Sequence, residues 1–179
     1  MTERRVRDAT TADAPACAAI YEPYVTGTSI TFETEAPGAD EMARRIAAAQ
    51  EAYAWLVLEE VGEEGAHVVG YAYAGPFKAR AAYRWSCEVS VYLELDRRGR
   101  GGGRALYATL LERLAARGYR MAAAGMTQPN EASGRLHEAL GFELVGTFRD
   151  IGWKHGGWHD VTWVQRRLGD PDADPTEPA

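Results

Sequence analysis

The chain predicts an α/β fold of the α+β kind, a central mixed sheet of about seven strands with flanking helices. Three observations carry that prediction. Short apolar runs and two-residue alternations take turns with segments of helical spacing, and no internal repeat interrupts them. The 179 residues are 46% hydrophobic, which suffices for one sizeable core. A glycine-rich basic loop, Arg98-Gly99-Arg100-Gly101-Gly102-Gly103, stands between the β-rich run Ser90-Val91-Tyr92-Leu93 and an amphipathic segment opening Arg104-Ala105-Leu106-Tyr107.

Residues 4–8 read as a first strand. Thr10 and Asp13 form a capping-box pattern and Pro15 suits a first helical turn, so a helix follows, which Pro23 bends or ends. Residues 40–52 place Met42, Ile46 and Ala49 at helical spacing. Residues 55–58 are a buried strand, 62–65 a turn and 68–74 its hairpin partner. Residues 86–93 form a central strand. Leu106, Leu110, Leu111 and Leu114 then line one face of the helix after the glycine loop. Residues 119–126 are a strand, and 129–140 a helix that Gly141 ends in left-handed geometry. Residues 142–148 and 161–167 close as a hairpin around Gly156-Gly157. One domain is expected over residues 1–168, followed by a disordered acidic, proline-rich tail over 169–179.

Charge and composition exclude several classes. A net charge of −6 argues against a general nucleic-acid or anionic-membrane binder, so the basicity of residues 97–104 is local. Two cysteines, Cys17 and Cys87, cannot build a disulfide framework and suit a reducing cytoplasm. No apolar run follows the first residues, and no stretch approaches a bilayer span.

The glycine loop carries the chemistry. Consecutive backbone N–H groups at a helix start, with the peptide dipoles behind them, attract an anion, and glycine lets the main chain approach a phosphate closely. The loop lacks the Gly-Lys-Ser/Thr ending of a nucleoside triphosphate site. Read as a dinucleotide fingerprint, it has Arg104 where the third glycine belongs. It does match Arg/Gln-x-x-Gly-x-Gly, from Arg98 to Gly103, and so resembles the coenzyme A loop of the GNAT superfamily of N-acetyltransferases.

Two further segments agree. Asn130-Glu131-Ala132-Ser133-Gly134-Arg135-Leu136-His137 resembles the superfamily helix whose Asn contacts the cofactor arm and whose late polar residue nears the sulfur; helical spacing puts Asn130, Ser133 and His137 on one stripe. Gly75-Pro76-Phe77-Lys78-Ala79-Arg80 with Tyr83 and Trp85, and Lys154-His155-Gly156-Gly157-Trp158-His159-Asp160, resemble the phosphinothricin N-acetyltransferases over residues 4–167. The resemblance implies the GNAT acyl-CoA N-acyltransferase fold, with a splayed central strand pair. It also implies acetyl-CoA as acetyl donor, a small amino acid such as phosphinothricin or methionine sulfoximine as acceptor, no metal, and a homodimer.

Residue roles follow from both sources. Strand alternation puts Ser86, Glu88, Ser90 and Tyr92 on one face and Cys87, Val89, Val91 and Leu93 on the other. A carboxylate on a buried strand needs partners or a function. Glu88 is therefore either an ion-pair partner of a nearby arginine or, as the resemblance implies, the general base. His137 read alone is a structural helical histidine, but the resemblance implies a group near the sulfur that assists amine deprotonation or returns a proton to the thiolate; whether Glu88 or His137 is the primary base stays open. The resemblance assigns Val91, Tyr92, Leu93, Arg98, Gly99, Arg100, Gly101, Gly102, Gly103, Arg104, Asn130 and Ser133 to the cofactor. It assigns Phe32, Lys78, Arg80, Tyr83 and Tyr92 to the acceptor, where Arg and Lys suit acidic groups. Thr127 and Gln128 depart from the phosphinothricin enzymes at a strand end facing the acceptor, which leaves substrate breadth open.

Other readings rank lower. His155 and His159 with Asp160 span Gly156-Gly157 rather than a helix face and lack thiolate partners, which favours a structural hairpin over a metal site. A single Arg-Gly stretch in an acidic protein disfavours an RNA-binding segment. Remaining alternatives are an acetyltransferase acting on a protein N-terminus or an aminoglycoside, and a non-catalytic acyl-CoA sensor.

Overall fold

In the computed structural model, which describes residues 3–63, 65–170 and 172–178, the alternating and apolar segments form seven strands. These are β1 (Glu3–Asp8), β2 (Trp55–Gly62), β3 (Gly65–Pro76), β4 (Ser86–Leu93), β5 (Met121–Thr127), β6 (Glu143–Lys154) and β7 (Gly157–Arg167). They join in one sheet of order β1-β2-β3-β4-β5-β7-β6. Every neighbouring pair is antiparallel except β4 and β5, which run parallel.

Helices cover both faces. On one side lie α1 (Ala14–Gly27) and α2 (Ala39–Ala52), whose Cys17, Ile20, Tyr24, Met42 and Ile46 pack on Trp55, Val57 and Tyr71. On the other lies α3 (Gly102–Ala116), whose Leu106, Leu110, Leu111 and Leu114 pack on Leu56, Leu58, Ala72 and Val89. The short α4 (Glu131–Ala139) follows β5. Burial of these stripes, rather than helix propensity, holds the helices in place.

Three details depart from the sequence reading. Pro23 lies inside α1, which continues to Gly27. Tyr21, Tyr24 and Val25 are buried around it, while Ala19, whose carbonyl the proline leaves free, is exposed to water. Helix α4 starts at Glu131, not Pro129, because Asn130 takes the N-cap: the Ser133 N–H donates to its Oδ1 at 3.2 Å. The closing hairpin is longer than its apolar alternation suggests, since register shifts between Leu144 and Gly146 and between Phe148 and Gly152 interrupt the pattern. The acidic segment for which composition predicts disorder makes contacts where it is described. Arg120 donates to the carbonyls of Asp170, Ala173 and Asp174, and the Trp85 Nε1–H donates to that of Thr176 at 2.8 Å.

One ion cluster ties β1, β2 and the start of α1 together. Arg7 donates to both oxygens of Asp13 at 2.7 and 2.8 Å and to Glu59 at 2.7 Å, and both acids are buried. The guanidinium holds both carboxyls below their usual range. Arg7→Met leaves the buried Asp13 without a cation and Glu59 with only the exposed Arg5, at 3.2 Å, so urea denaturation at pH 7 should show a loss of about 3 kcal/mol. The deficit should narrow as pH falls through the carboxylate range and the stranded groups take up protons.

Candidate active site

The β4–β5 pairing covers only Ser86 to Glu88 against Met121 to Ala123. Beyond that point β4 stays with β3 to Leu93 and β5 stays with β7 to Thr127, so the two parallel strands part. The Glu94 N–H donates to Val69 on the β3 side, and ladder alternation therefore turns the N–H groups of Val89, Val91 and Leu93 toward the gap. Side chains alternate as the sequence predicts. Val89, Val91 and Leu93 face the α3 side and Tyr92 the α1–α2 side.

A cleft of about 360 Å³ opens where β4 ends, between the glycine loop and α4. Val91, Leu93, Arg98, Gly99, Gly101, Gly103, Arg104, Asn130 and Ser133, all expected at the donor, line it. Gly101 caps α3 at φ +83° and Gly99 turns at φ +75°, backbone conformations that glycine adopts without strain. No side chain caps α3, so its first N–H groups are free to meet an anion. Arg98 and Arg104 line the cleft, and among the described residues neither is paired with a carboxylate. This donor set fits the diphosphate and pantetheine arm of acetyl-CoA. Gly102 lies beneath instead, where an added Cβ would come within 2.8 Å of Leu58, and Arg100 is exposed with its carbonyl accepting from Arg4 at 2.7 Å.

Glu88 sits at the last paired position of β4, half-buried. Burial pushes its carboxyl above the usual range, and the nearby Lys78 ammonium partly opposes this. Its charge is felt by two phenols to which the sequence reading gave no role, Tyr73 on β3 and Tyr107 on α3, which approach from opposite faces of the sheet. Burial raises both phenols, so each keeps its proton at neutral pH. Their signal in sequence was ordinary: both read as aromatic core residues on periodic faces.

His137 does not reach the donor cleft. It is 3% exposed and lies edge-on to Tyr107 and Phe142, with centroids 5.3 and 4.9 Å away. Its Nδ1–H donates to the Ser133 carbonyl at 2.8 Å, which leaves the Nε2 lone pair without a partner. Desolvation pushes this imidazole below its ordinary value, so it is neutral at pH 7.

The acceptor candidates lie outside that cleft. Lys78 stands 5.1 Å from the centroid of the Phe77 ring, itself edge-on to Tyr83 and Trp163, while Arg80 and Tyr83 are exposed. Phe32 lies across Gly152, where any Cβ would collide with its ring. Its loop is anchored by Lys154 Nζ, which donates to the Thr31 carbonyl at 2.7 Å. The Tyr92 ring packs against Tyr21, Tyr24 and Tyr71. His155 and His159 bond to the separate carbonyls of Thr28 and Lys154 and do not converge. Helix α4 adds Ala132, Arg135 and Leu136 to the cleft, and α1 and its following loop add Tyr24 and Ile30. The 3–4 spacing of Ala132, Arg135 and Leu136 was the available signal for the first three.

Comparison with known proteins agrees with this geometry. The sequence model of the acetyltransferase (GNAT) domain matches residues 6–163. A phosphinothricin N-acetyltransferase of Streptomyces viridochromogenes is 42% identical, covering 92% of this chain and 89% of that protein. An L-methionine sulfoximine/L-methionine sulfone acetyltransferase of Pseudomonas paraeruginosa is 37% identical, covering 97% of each. A crystal structure of a GNAT superfamily phosphinothricin acetyltransferase from Sinorhizobium meliloti in complex with acetyl-CoA superposes with a TM-score of 0.89. It is 39% identical, with 97% of this chain and 94% of that one covered.

Gly101→Val tests the helix-start cradle. A β-branched residue at φ +83° is strained by about 1–2 kcal/mol and displaces the loop. Calorimetry should then show coenzyme A affinity reduced about tenfold, the equivalent of that strain.

Proposed function

The chain belongs to the acetyltransferase (GNAT) family and is an acetyl-CoA-dependent N-acetyltransferase, and from that premise we propose that its acceptor is the α-amino group of a small amino acid. Phosphinothricin and methionine sulfoximine or sulfone are the leading cases, because they are the acceptors named for the relatives at 42% and 37% identity. The observation that carries the proposal is Glu88, a half-buried carboxyl at the parting of β4 and β5, whose pKa burial raises and the more distant Lys78 charge partly lowers.

Acetyl-CoA supplies the acetyl group as a thioester. Arg98, Arg104 and the α3 start hold the diphosphate, while Asn130, Ser133, Val91 and Leu93 flank the arm. The gap-facing N–H of Val91 donates to the developing oxyanion. An α-amino group with a pKa of about 8 is largely charged at neutral pH and must lose a proton. Glu88 takes it, because a buried carboxylate binds a proton more firmly than a solvated one. The free amine then attacks the thioester carbonyl, the C–S bond breaks as the amide forms, and the departing coenzyme A thiolate takes the proton that the acylated nitrogen sheds. His137 is enclosed and neutral, and a cation there would be costly, which favours Glu88 over it as the base. Lys78 and Arg80 meet the acceptor's acidic groups, with Phe32, Tyr83 and Tyr92 bounding the space.

The catalytic domain comprises residues 1–168, and we infer a homodimer. Leu144, Val145, Phe148, Ile151, Trp153 and Trp158 are each more than half exposed on the hairpin that ends the sheet. An apolar edge of this kind is ordinarily covered, and a second copy of the chain would cover it. Among the described residues no helix is long and apolar enough to cross a membrane. Two buried free thiols accord with a cytoplasmic location.

Coenzyme A release across a panel of phosphinothricin, methionine sulfoximine, methionine sulfone, ordinary amino acids, an aminoglycoside and a peptide N-terminus tests the acceptor. Turnover confined to the first three is expected, and preference for the peptide would overturn the reading. Glu88→Gln should lower kcat about 100-fold with coenzyme A affinity unchanged. The wild-type rate should fall as pH drops through the raised Glu88 pKa, and the variant should lack that limb. In sedimentation velocity, Phe148→Asp with Trp158→Asp should turn a dimer into a monomer; a wild-type monomer would remove the dimer.

A further inference from the structure

Arg97 belongs to the basic stretch of the glycine loop by sequence, yet its guanidinium is directed to Glu60 on β2 and not to the cleft. Glu60 is 3% exposed, and each of its oxygens is taken by a different arginine. Oε1 accepts from Arg4 Nε at 2.9 Å and Oε2 from Arg97 Nη1 at 2.9 Å. Arg4 then donates Nη1 to the Arg100 carbonyl at 2.7 Å. One buried carboxylate thus grips the loop at its entrance, through Arg97, and at its middle, through Arg4.

We propose that Glu60 is a positioning residue for the donor site, holding the diphosphate loop in register through Arg97 and Arg4. The loop needs such a hold. It contains four glycines among residues 98–103, and glycine loses more backbone freedom on ordering than any other residue. Without the clamp the binding-competent loop becomes a minor population, and apparent affinity falls by that fraction. Charge bookkeeping agrees. Glu60 alone would repel a diphosphate, whereas Arg4–Glu60–Arg97 together carry one net positive charge. The remaining carboxylates near Arg97, those of Glu94 and Asp96, lie at 3.7 and 3.8 Å and belong to exposed or half-exposed side chains, so they hold it weakly. The bland alternative is a purely structural ion pair between β1 and β2. Arg7, Asp13 and Glu59 already join those strands, and only the Glu60 cluster reaches the loop.

The proposal rests on the donor and not on the acceptor's identity, so the test uses the full chain without an acceptor. Glu60→Gln keeps the side-chain volume and removes the charge. Its calorimetric Kd for coenzyme A should rise about tenfold, as for a loop competent about one-tenth of the time. Pantetheine, which lacks the diphosphate, should bind the variant and the wild type alike in an NMR titration. Arg4→Met, which frees the Arg100 carbonyl, should weaken coenzyme A in the same direction. An unchanged coenzyme A Kd in Glu60→Gln overturns the proposal, and so does an equal loss for pantetheine, which would assign Glu60 to general folding. If Glu60→Gln does not fold, Arg4→Met decides, and an unchanged Kd there is the overturning result.

Discussion

The parting of β4 and β5 after Glu88 and Ala123 is the constraint on which the remaining structure depends. Each strand is committed elsewhere: β4 pairs with β3 along its length and β5 with β7 along its own. Only three residues of each can meet before the strands diverge. The divergence frees one edge of β4, whose N–H groups would be costly to bury without a partner. It also brings chemistry from both faces of the sheet to one place. Tyr107 on the α3 side and Tyr73 on the β3 strand both lie near enough to Glu88 to respond to its charge.

Acids on one scaffold acquire different properties from their surroundings. Asp13 and Glu59 share Arg7 and are held as anions. Glu88 has no hydrogen-bonded cation among the described residues, only Lys78 at a distance, and burial therefore dominates and raises it. A carboxylate firmly paired with arginine is a poor proton acceptor, whereas one that burial destabilises takes a proton readily. The sequence could narrow Glu88 to an ion-pair partner or a base; among the described residues no arginine pairs with it, which supports the proposed role as base.

Legibility followed the range of the interactions involved. The bounds of β4 and the buried face of α3 depend on local periodicity and were readable from Ser86–Leu93 and from Leu106, Leu110, Leu111 and Leu114. The glycine loop was readable as one feature because the residues it sends to the cleft, Arg98, Gly99, Gly101, Gly103 and Arg104, lie together in sequence. Of the two outcomes open at Pro23, bending or ending the helix, the ending is excluded, because burial of Tyr21, Tyr24 and Val25 carries the helix past it. The length of β6 was hidden by Asp150 at φ +49° and by the two register shifts. Arg97 and Glu60 are separated by 37 residues, and no periodicity relates them. Nor does anything in sequence show that His137 turns into the core toward Tyr107 and Phe142 while Asn130 and Ser133, on the same stripe, line the cleft.

The two ends of the site are supported by separate networks. On the donor side, Glu60 gathers Arg4 and Arg97 around the glycine loop. On the acceptor side, the loop carrying Phe32 is held by Lys154 at Thr31 and by Arg45, which donates to both oxygens of Glu33 at 2.7 and 3.0 Å. Neither cluster shares a residue with the other, and β4, with its backbone facing the gap, is the element that runs between them. Substitutions in independent clusters are additive to a first approximation. With Phe32 bounding the acceptor as proposed, changes around Phe32, Glu33 and Lys154 would reshape that space while the diphosphate grip stays constant. On the proposed assignment, such a division lets one donor site serve acceptors of different shape, with acceptor choice set by the α1–α2 loop, the β6–β7 turn and the segment carrying Lys78 and Arg80 instead of the glycine loop.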